Sequence, residues 1–456
     1  METSKPQFAA LREITTVTGI DAPVRVTGAD PVFPTPFLVG MAGAAALGAL
    51  GAAVSRLWAL RTGRGQDISI RVRDAAASLR SATYLEIDGK KPESLWDPWT
   101  GFYPVREDRW VNIHCNFPAH RAAMASVLGA PADRKAAEAA SRAWDGLALE
   151  EAIHAAGGCA GLARTEAEWA AHPQAAAVAR EPLLALERIG DAPPEPLPAT
   201  ERPLGGVRVL DLTRVLAGPT CARSLAEHGA DVLKISAAHL ADSGAVEWDT
   251  GLGKRSAFLD LRAPGGAEAL GALLRGADVF SQSYRPGTLA ARGFGPEEAA
   301  RLRPGIVYAT LNAWGDAGPW KGRRGFDSIV QTVSGMAYAQ SVASARPQLL
   351  PVSAIDYVSG YLMAAGAAAA LARRATEGGS WRVRVSLAAT GRWIAGLGRI
   401  AAFREVPAEL GPEELEGLLE AHGTVRHLRP VLGLSETPPY WARPPVALGS
   451  HPPTWT

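Results

Sequence analysis

The chain has 456 residues, with 47 basic and 46 acidic side chains and a net charge of +1, so it carries no signature of binding to nucleic acid or to an anionic membrane surface. Its length is sufficient for two or three domains with sizeable cores. The three cysteines, Cys115, Cys159 and Cys221, lie far apart and form no CxxC pair. This pattern argues against a disulfide framework or a zinc site and fits a reducing cytoplasm.

The N-terminal region raises the question of a targeting or membrane segment. The first residues contain no apolar run of the kind that directs secretion. Residues 31–55 carry no charge and are long enough to cross a bilayer, but they are rich in alanine and glycine. Three prolines, Pro31, Pro34 and Pro36, also crowd the start of this stretch. We therefore interpret it as a buried helix of the core.

The small-residue helix occurs twice in the chain. Residues 41–79 and residues 355–396 each read as an Ala-rich helix, a Gly-rich turn, a strand of alternating character and a further helix. Aligning the two turns gives an offset of 314 residues, which puts Ala42 opposite Asp356. On this alignment the first copy lacks the carboxylate that the second copy has.

Composition shifts and proline-rich stretches divide the chain into five segments. The predicted segments are an N-terminal segment with the degenerate repeat unit (1–74), a small domain (75–190), a Pro-rich linker (191–203), a core domain (204–400) and a C-terminal helix with an extended tail (401–456).

The core segment alternates apolar runs with helical patterns. The predicted strands are 207–212, 230–235, 257–261, 277–282 and 306–311. Strands that alternate with helices predict an α/β fold with a parallel, doubly wound sheet that binds its ligand at the carboxyl ends of the strands. The first strand-to-helix loop contains no G-x-G-x-x-G, which disfavours an NAD site.

Seven blocks between Leu204 and Leu387 have the order and wording of a known family. They include VRVLDLTRVLAGPT, GKRSAFLDLRAPGG, SYRPGTLAARGFG, LNAWGDAGP and LPVSAIDYVSG. Over this stretch the chain resembles the family III CoA-transferases, the formyl-CoA transferase and carnitine CoA-transferase group. The resemblance implies a Rossmann-like doubly wound parallel sheet with a second, smaller α+β domain, and a homodimer. Because the family's small domain normally follows the nucleophile, the order of parts here is expected to be permuted or partly duplicated.

The resemblance places the family's nucleophile at Asp356. From local sequence alone, an aspartate before an Ala-rich helix is more typical of an N-cap. In the implied reaction, the carboxylate attacks the thioester of an acyl-CoA and forms a mixed anhydride and then an aspartyl-CoA thioester, which a carboxylic acid attacks. With a reference pKa of about 3.9 and a helix N-terminus beside it, the group is expected to be ionised at neutral pH.

The resemblance also implies contacts with coenzyme A along the core. The expected cofactor-binding residues are Leu216, Ala217, Leu259, Arg262, Tyr284, Arg285, Asn312 and Trp314. Looser candidates for phosphate contact are Lys254, Arg255, Lys321, Arg323 and Arg324. Arginines suit phosphate oxygens and a flat aromatic ring suits adenine. The chain departs from the family pattern at Ser236, Ala237 and Ala291, and Leu216 stands where the formyl-CoA transferase branch has glutamine.

Phe326 and Asp327 separate the chain from a neighbouring subfamily. The related α-methylacyl-CoA racemases have His-Asp in this block, and a phenyl ring cannot exchange a proton. Racemisation by that mechanism is therefore not expected, and Asp327 is interpreted as a cap of the helix that follows. His114 and His120 lie near Cys115 but lack metal-ligand spacing, so we interpret both as structural.

Three functions stay open. The leading one is a cytoplasmic CoA-transferase that uses coenzyme A or acyl-CoA as substrate, with no metal, nucleic acid or membrane partner. The second is a racemase, isomerase or lyase on the same scaffold. The third is a non-catalytic CoA-binding subunit, because one half-copy lacks the aspartate. The family recognises very different acids with similar motifs, so the sequence does not name the donor or the acceptor.

Overall fold

The N-terminal segment is mostly helical, with two short parallel strands. The structure is a computed structural model that describes residues 6–92, 94–341 and 346–455. The elements of this segment are α1 (Pro6–Thr18), β1 (Val24–Thr27), α2 (Val39–Thr62), β2 (Ile68–Arg71), α3 (Val72–Ser78) and β3 (Glu86–Ile87). Strands β1 and β2 pair in parallel, so α2 is the crossover that connects them.

A small α+β domain follows. Its elements are β4 (Gly101–Pro104), β5 (Trp110–Ile113), α4 (Pro118–Val127), α5 (Arg134–Ser141), α6 (Gly146–Ala155), β6 (Ala160–Leu162), α7 (Glu166–Ala170) and α8 (Pro173–Arg180). Strands β4, β5 and β6 form an antiparallel sheet in that order. Its core is built from buried side chains such as Tyr103, Val111, Met124 and Ile153.

The rest of the chain forms a Rossmann-like core and a tail. The core elements are β7 (Ala185–Gly190), β8 (Arg208–Leu212), α9 (Ala217–Ala226), β9 (Asp231–Ser236), α10 (Ala245–Thr250), β10 (Lys254–Phe258), α11 (Gly266–Arg275), β11 (Val279–Gln282), α12 (Pro296–Leu302), β12 (Val307–Asn312), α13 (Asp327–Val333), α14 (Met336–Ser341), α15 (Ala354–Glu377), β13 (Ser380–Ser386) and α16 (Leu387–Gly396). The tail contains α17 (Pro412–Glu416), β14 (Leu419–His422), β15 (Val425–Leu428) and β16 (Gly433–Leu434).

The seven strands of the core sheet lie in the order β10-β9-β8-β11-β12-β13-β7. Every neighbouring pair is parallel except β13 and β7, which are antiparallel. The prediction of a doubly wound parallel sheet with a smaller α+β domain is confirmed. The chain leaves β8 towards β9 on one side, while β11 lies on the other side, so the sheet has its topological switch point between β8 and β11. A doubly wound sheet binds ligands in the crevice at the carboxyl ends of the strands at such a point.

Strand β10 begins three residues before the predicted start at residue 257. Its first two residues are charged, which conceals the strand from a hydrophobicity pattern. Both charges are neutralised inside the protein: Lys254 contacts Asp211 at 2.8 Å, and Arg255 contacts Asp231 at 2.9 Å. These ion pairs make the two cations part of the core, so neither is free for the phosphate contact that the sequence suggested.

Strand β7 lies within the segment that the sequence assigned to the small domain, and it forms the antiparallel edge of the core sheet. Arg384 on β13 contacts Glu187 on β7 at 3.0 Å and also pairs with Glu181 just before the strand. The segment that precedes the linker is therefore attached to the core sheet by strand pairing and by ion pairs.

The two repeat helices have the same length and the same ends. Helices α2 and α15 both contain 24 residues, and a glycine with positive φ, Gly63 or Gly378, follows each of them. These bounds correspond to an offset of 315 residues, one more than the Gly-rich turns indicate. Met41, not Ala42, is therefore the counterpart of Asp356, and the expected absence of a carboxylate in the first copy still holds.

Helices α2 and α15 pack against each other at the centre of the molecule. By length and composition either could cross a membrane, but 83% and 100% of their apolar windows are buried within the structure. Each helix also approaches the strand that follows it at an equivalent point. A Cβ added to Gly51 would lie 2.8 Å from Ile68, and one added to Gly366 would lie 2.6 Å from Val383. Glycine at these positions therefore permits the close helix–strand contact in both copies.

The tail joins the two halves of the molecule. Strand β16 pairs with β2 of the first repeat unit. Near the end of the chain, the indole N–H of Trp455 donates to the carbonyl oxygen of Leu273 on α11 at 2.8 Å. The tail thus contacts both the N-terminal segment and the core sheet.

Candidate active site

A cleft of about 580 Å³ lies where the core sheet meets the small domain. Its core side is formed by residues at and after the carboxyl ends of β8, β11 and β12, which include Arg214, Tyr284 and Asn312. Its other side is formed by residues 117–120, where α4 of the small domain begins. The cleft therefore occupies the carboxyl end of the sheet at the switch point, which is where a ligand is expected.

Asp356 is the carboxylate of this cleft. It is the third residue of α15, and Ser353 occupies the N-cap position, so Asp356 is not the N-cap. Its side chain lines the cleft although the residue is only 8% exposed. One turn later, a Cβ added to Gly360 would lie 2.5 Å from the carbonyl oxygen of Ala217. The missing side chain at Gly360 thus lets the start of α9 approach the same face of α15 that presents Asp356.

Asp327 holds the start of α15 in place. Its Oδ2 accepts a hydrogen bond from the backbone N–H of Asp356 at 3.0 Å, and its Oδ1 accepts from the amide of Gln331. Gln331 in turn accepts from the N–H of Leu350 at 2.8 Å. The sequence interpretation of Asp327 as a cap of the following helix needs correction: it is the first residue of α13, but its carboxylate satisfies the N-terminus of α15.

The two carboxyl groups perturb each other. Burial raises the pKa of Asp356 well above the usual aspartate value, and the charge of Asp327 adds to the rise. Burial also raises the pKa of Asp327 to about 6, against hydrogen bonds from the N–H groups of Asp356 and Ile355 and from Gln331. Since these donors stabilise the charge on Asp327, the proton of the pair resides on Asp356. The raised pKa of Asp356 runs against the expectation that a helix N-terminus keeps this group ionised.

A buried hydrogen-bond network fixes the first turn of α15 from the other side. The hydroxyl of Tyr357 donates to Oδ2 of Asp249 at 3.2 Å, and Arg223 contacts the same oxygen at 2.7 Å. Ser81, from the N-terminal segment, also donates to Asp249 at 2.9 Å. Four separate segments thus meet beside Asp356, and the N-terminal segment contributes to positioning the site.

The loop between β8 and α9 has a strained backbone. Val215 has a φ of 70°, a region that β-branched residues rarely adopt. The residues on either side of Val215 are closely packed: Thr213 donates its N–H to Asp211 at 3.0 Å, and a Cβ at Gly218 would lie 2.5 Å from Thr213. Strain of this kind is typical of functional loops. Here it directs Leu216 and the N-terminus of α9 into the cleft.

The cleft brings together five of the eight predicted coenzyme A contacts. They are Leu216, Ala217, Tyr284, Arg285 and Asn312.

The other three lie outside its lining. Leu259 packs against the hydrophobic cluster of the core sheet, and Arg262 pairs with Asp260 at 2.9 Å on the surface. Trp314 is 2% exposed and donates its indole N–H to the carbonyl oxygen of Arg324 at 3.2 Å, so its ring is part of the core and presents no face for adenine stacking.

Two arginines of the cleft have neither a hydrogen bond nor an ion pair. In residues 6–92, 94–341 and 346–455 these are the side chains of Arg285 and Arg324, whereas Arg214 donates to the carbonyl oxygen of Ala241 at 2.9 Å. They lie close enough for the charge of Arg285 to lower the pKa of Arg324, after the larger effect of burial. Arg323, by contrast, contacts Glu151 at 2.6 Å. A pair of unpaired guanidinium groups is suited to bind an anion such as a phosphate.

An aromatic cluster from the small domain and α13 forms another part of the site, which sequence analysis missed. His114 and Phe326 stack with ring centroids 3.8 Å apart, and His120 lies edge-on to Phe326 at 5.8 Å. Phe117, His120 and Phe326 line the cleft together with Asp356. His120 was interpreted as structural, yet it faces the cleft. The signal that could have identified it is its position at the start of a helix directly after a buried strand, where loops carry function.

Comparisons with known proteins bear on the same regions. A family model described as CoA-transferase family III matches residues 22–194 and 204–412, which is most of the chain. This chain belongs to that family. The first match covers the degenerate repeat and the small domain, and the second match covers the core with Asp356.

Relatives of known name are similar over less than half of the chain. An acetyl-coenzyme A transferase of Hypoxylon pulicicidum is 36% identical over 200 residues, covering 42% of this chain and 34% of that protein. The beta subunit of succinyl-CoA–L-malate CoA-transferase of Chloroflexus aurantiacus is 33% identical, covering 39% of this chain and 47% of that protein. The crystal structure of Rv3272 from Mycobacterium tuberculosis is 32% identical and covers 43% of this chain and 55% of that one, with a TM-score of 0.40. The chain thus spans about half or less of the length of these relatives.

Proposed function

We propose that this protein transfers coenzyme A from an acyl-CoA to a carboxylic acid, with Asp356 as the covalent nucleophile. The observation that carries the proposal is the position of Asp356: a buried carboxyl group in the first turn of α15, lining a cleft at the carboxyl end of the core sheet. Membership of the family and the names of the relatives agree with this chemistry.

We expect arginine side chains and backbone N–H groups to bind coenzyme A. Its diphosphate suits Arg285 and Arg324, whose mutual repulsion is relieved when an anion binds between them. The strained loop at Val215 and the start of α9 lie beside Asp356 and offer backbone N–H groups to the thioester. This arrangement would place the reactive end of the cofactor at the carboxyl group and its diphosphate at the arginines.

The proposed reaction passes through three covalent intermediates, and each step conserves atoms. The Asp356 carboxylate attacks the acyl carbon, and the C–S bond breaks to give an acyl-aspartyl anhydride and the CoA thiolate. The thiolate attacks the aspartyl carbon of the anhydride and releases the donor acid, which leaves an aspartyl-CoA thioester. The acceptor carboxylate attacks this thioester and forms a second anhydride, and the thiolate then attacks the acceptor's carbon and regenerates Asp356.

The proton on Asp356 must leave before the first attack. Its pKa is raised by burial and by Asp327, so the reactive fraction of free enzyme increases with pH. Asp327 stays beside it as a hydrogen-bond acceptor for the backbone of α15. We therefore assign Asp327 a positioning role, in which it orients the nucleophile and sets its protonation.

Trapping with hydroxylamine tests the proposal directly. The protein is incubated with a panel of acyl-CoAs, hydroxylamine is added, and the modified peptide is located by mass spectrometry. We expect a hydroxamate on Asp356 with at least one donor and none in Asp356→Asn. Transfer of CoA between acids without any modification of Asp356 would contradict the covalent mechanism.

One observation favours a second candidate, an acyl-CoA racemase or isomerase. Although Phe326 stands where the racemases have histidine, His120 brings an imidazole within 5.8 Å of the Phe326 ring. Burial lowers the pKa of His120 to about 4, which makes it a weak base at neutral pH. Uptake of solvent deuterium at the α-carbon, with no exchange of CoA between acids, would support this candidate over the transferase.

The proposal includes a cytoplasmic homodimer. The dimer is what the resemblance to the family III CoA-transferases implies, and three cysteines without a CxxC pair fit a reducing cytoplasm. Light scattering after size exclusion should give twice the mass of the chain. A monomer that is fully active would remove the dimer from the proposal and leave the chemistry intact.

A further inference from the structure

The aromatic cluster beside Asp356 has the properties of a binding surface for the acid. We call the rings of His114, Phe117, His120 and Phe326 the aromatic box. Phe326 stacks on His114 on one side, and Phe117 and His120 meet edge-on at 5.4 Å. Three of the four rings line the cleft, while His114 lies behind Phe326. The box therefore presents a mainly apolar wall to whatever occupies this part of the cleft.

The aromatic box lies close to the reacting carboxyl group. Phe326 directly precedes Asp327, whose carboxylate holds the backbone N–H of Asp356 at 3.0 Å. The unpaired cations, Arg285 and Arg324, come from the loops after β11 and β12, whereas Phe117 and His120 come from the small domain. The two cations and the rings of Phe117 and His120 thus come from different elements around Asp356. This arrangement suits an acyl-CoA, which combines a charged cofactor with an apolar acyl group.

His120 gives the aromatic box a polar atom without a partner. Its Nδ1 is buried and has no hydrogen-bond partner in the described part of the chain. Burial is the main reason that its pKa falls to about 4, and the nearby cations Arg324 and Arg214 and the ring of His154 lower it further. At neutral pH the ring is uncharged, with one N–H donor and one acceptor nitrogen. Nδ1 is enclosed by protein, so the ring nitrogen left for a ligand in the cleft is Nε2, to which no described residue bonds. A hydrogen bond to that nitrogen would add to the free energy of ligand binding.

We propose that the aromatic box binds the carbon body of the acid and that the ring of His120 hydrogen-bonds a neutral polar substituent on it. This assignment rests on the proposed transferase function and adds the class of acid. The favoured acids have a short apolar body with a hydroxyl group.

The experiment compares four donors that differ at one group: butyryl-CoA, the two enantiomers of 3-hydroxybutyryl-CoA, and succinyl-CoA. The rate of hydroxamate formation on Asp356 is measured for wild type, His120→Phe, His120→Gln and the distant control His422→Gln. We expect wild type to react faster with one 3-hydroxybutyryl enantiomer than with butyryl-CoA or succinyl-CoA.

In His120→Phe the preference for the hydroxyl group should fall about 3- to 10-fold, the effect of one neutral hydrogen bond, through KM for the donor more than through kcat. His120→Gln, which keeps a donor and an acceptor, should restore part of the preference. His422 lies on β14, outside the cleft lining, and its variant should keep the wild-type ratio.

The outcomes separate this inference from the proposed function. If wild type forms the Asp356 adduct but His120→Phe keeps the wild-type ratio, the inference falls and the transferase proposal stands. A wild type that prefers succinyl-CoA also overturns the inference. If no donor modifies Asp356, both fall. Loss of α-deuterium uptake in His120→Phe, with CoA transfer unchanged, would assign His120 to proton transfer and overturn its role in recognition.

Discussion

The two repeat units differ in chemistry while they share a scaffold. In each, an aspartate outside the helix accepts hydrogen bonds from the N–H groups of the first turn: Asp30 from Gly40 at 3.0 Å and Met41 at 2.8 Å, and Asp327 from Asp356 at 3.0 Å. The helix end is thus held in the same way whether or not the first turn itself carries a carboxylate. The capping carboxylate belongs to the scaffold, and Asp356 is a separate addition.

The glycines of the two helices also separate features that both units share from a feature of the second unit alone. Gly51 and Gly366 both allow the helix to touch the strand that follows it, so this pair belongs to the fold. At the position that corresponds to Gly360, the first unit has Ala45. The second unit has glycine there because α9 packs closely against α15 at that point. Substitutions at matched positions of the two units can therefore separate what the fold needs from what the reaction needs.

The largest expected effect is the loss of the nucleophile. Asp356→Asn should lower the rate of CoA transfer by a factor on the order of 10⁴ or more, since the proposed intermediates form on this carboxylate. The matched control, Met41→Leu, should keep the rate because the first unit has no carboxylate at this position.

Thermal unfolding of wild type and Asp356→Asn at pH 8 distinguishes a catalytic role of Asp356 from a structural one. The folded-state pKa of Asp356 is raised above its unfolded value, so ionisation destabilises the fold as the pH increases. Asp356→Asn removes that cost and should unfold at an equal or higher temperature than wild type. An inactive variant that unfolds much earlier would show that Asp356 is needed for structure.

Much of the fold was predictable from sequence, because its signals are local. The order of apolar strands and helices predicted the parallel sheet, and the match of the Asp356 block placed that residue near a helix start. Other features depend on contacts between distant segments. Strand β10 begins with Lys254, whose partner Asp211 lies 43 residues earlier, so its hydropathy does not indicate a buried strand.

The raised pKa of Asp356 and the place of His120 in the cleft lining were missed for the same reason. The raised pKa of Asp356 comes from burial and from Asp327, which is 29 residues away in sequence. His120 reaches the cleft because the small domain packs against α13. A spacing argument could show that His114 and His120 do not form a metal site, but it could not show what the rings would face.

Gly360→Ala is expected to have the next largest effect. The added Cβ would lie 2.5 Å from the carbonyl oxygen of Ala217, so α9 must move away from α15. Overpacking of this kind costs about 1–3 kcal/mol of unfolding free energy. The shift also moves the loop at Leu216 and should lower kcat.

The matched change in the first unit, Ala45→Gly, should cost about 1 kcal/mol from helix propensity and leave the kinetics as in wild type. Urea unfolding and steady-state rates measure both effects. Equal kinetic losses in the two variants would contradict the idea that α9 positions the site.

Asp327→Asn should displace the pH–rate profile. Asparagine can still accept the hydrogen bond from the N–H of Asp356, but it removes the charge that adds to the rise in the pKa of Asp356. The pKa of Asp356 therefore falls, and the ascending limb of kcat against pH moves to lower pH. Each unit of displacement raises the rate about tenfold at a fixed pH on that limb. A profile that stays in place would mean that the ascending limb reports another group.

The smallest expected effect on the reaction rate concerns Asp30, the counterpart of Asp327 in the first unit. Burial raises its pKa from 3.8 to about 6, so the folded state favours the protonated form. Its contribution to stability is present at low pH and is lost as the pH rises from about 4 through about 6. The unfolding free energy of wild type relative to Asp30→Asn should therefore fall between pH 4 and pH 7, by about 3 kcal/mol at the upper limit. Urea titrations at the two pH values measure this difference, while the pH–rate profile of Asp30→Asn should match that of wild type. If Asp30→Asn displaced the profile as Asp327→Asn does, the first unit would take part in the reaction and its separation from the second unit would fail.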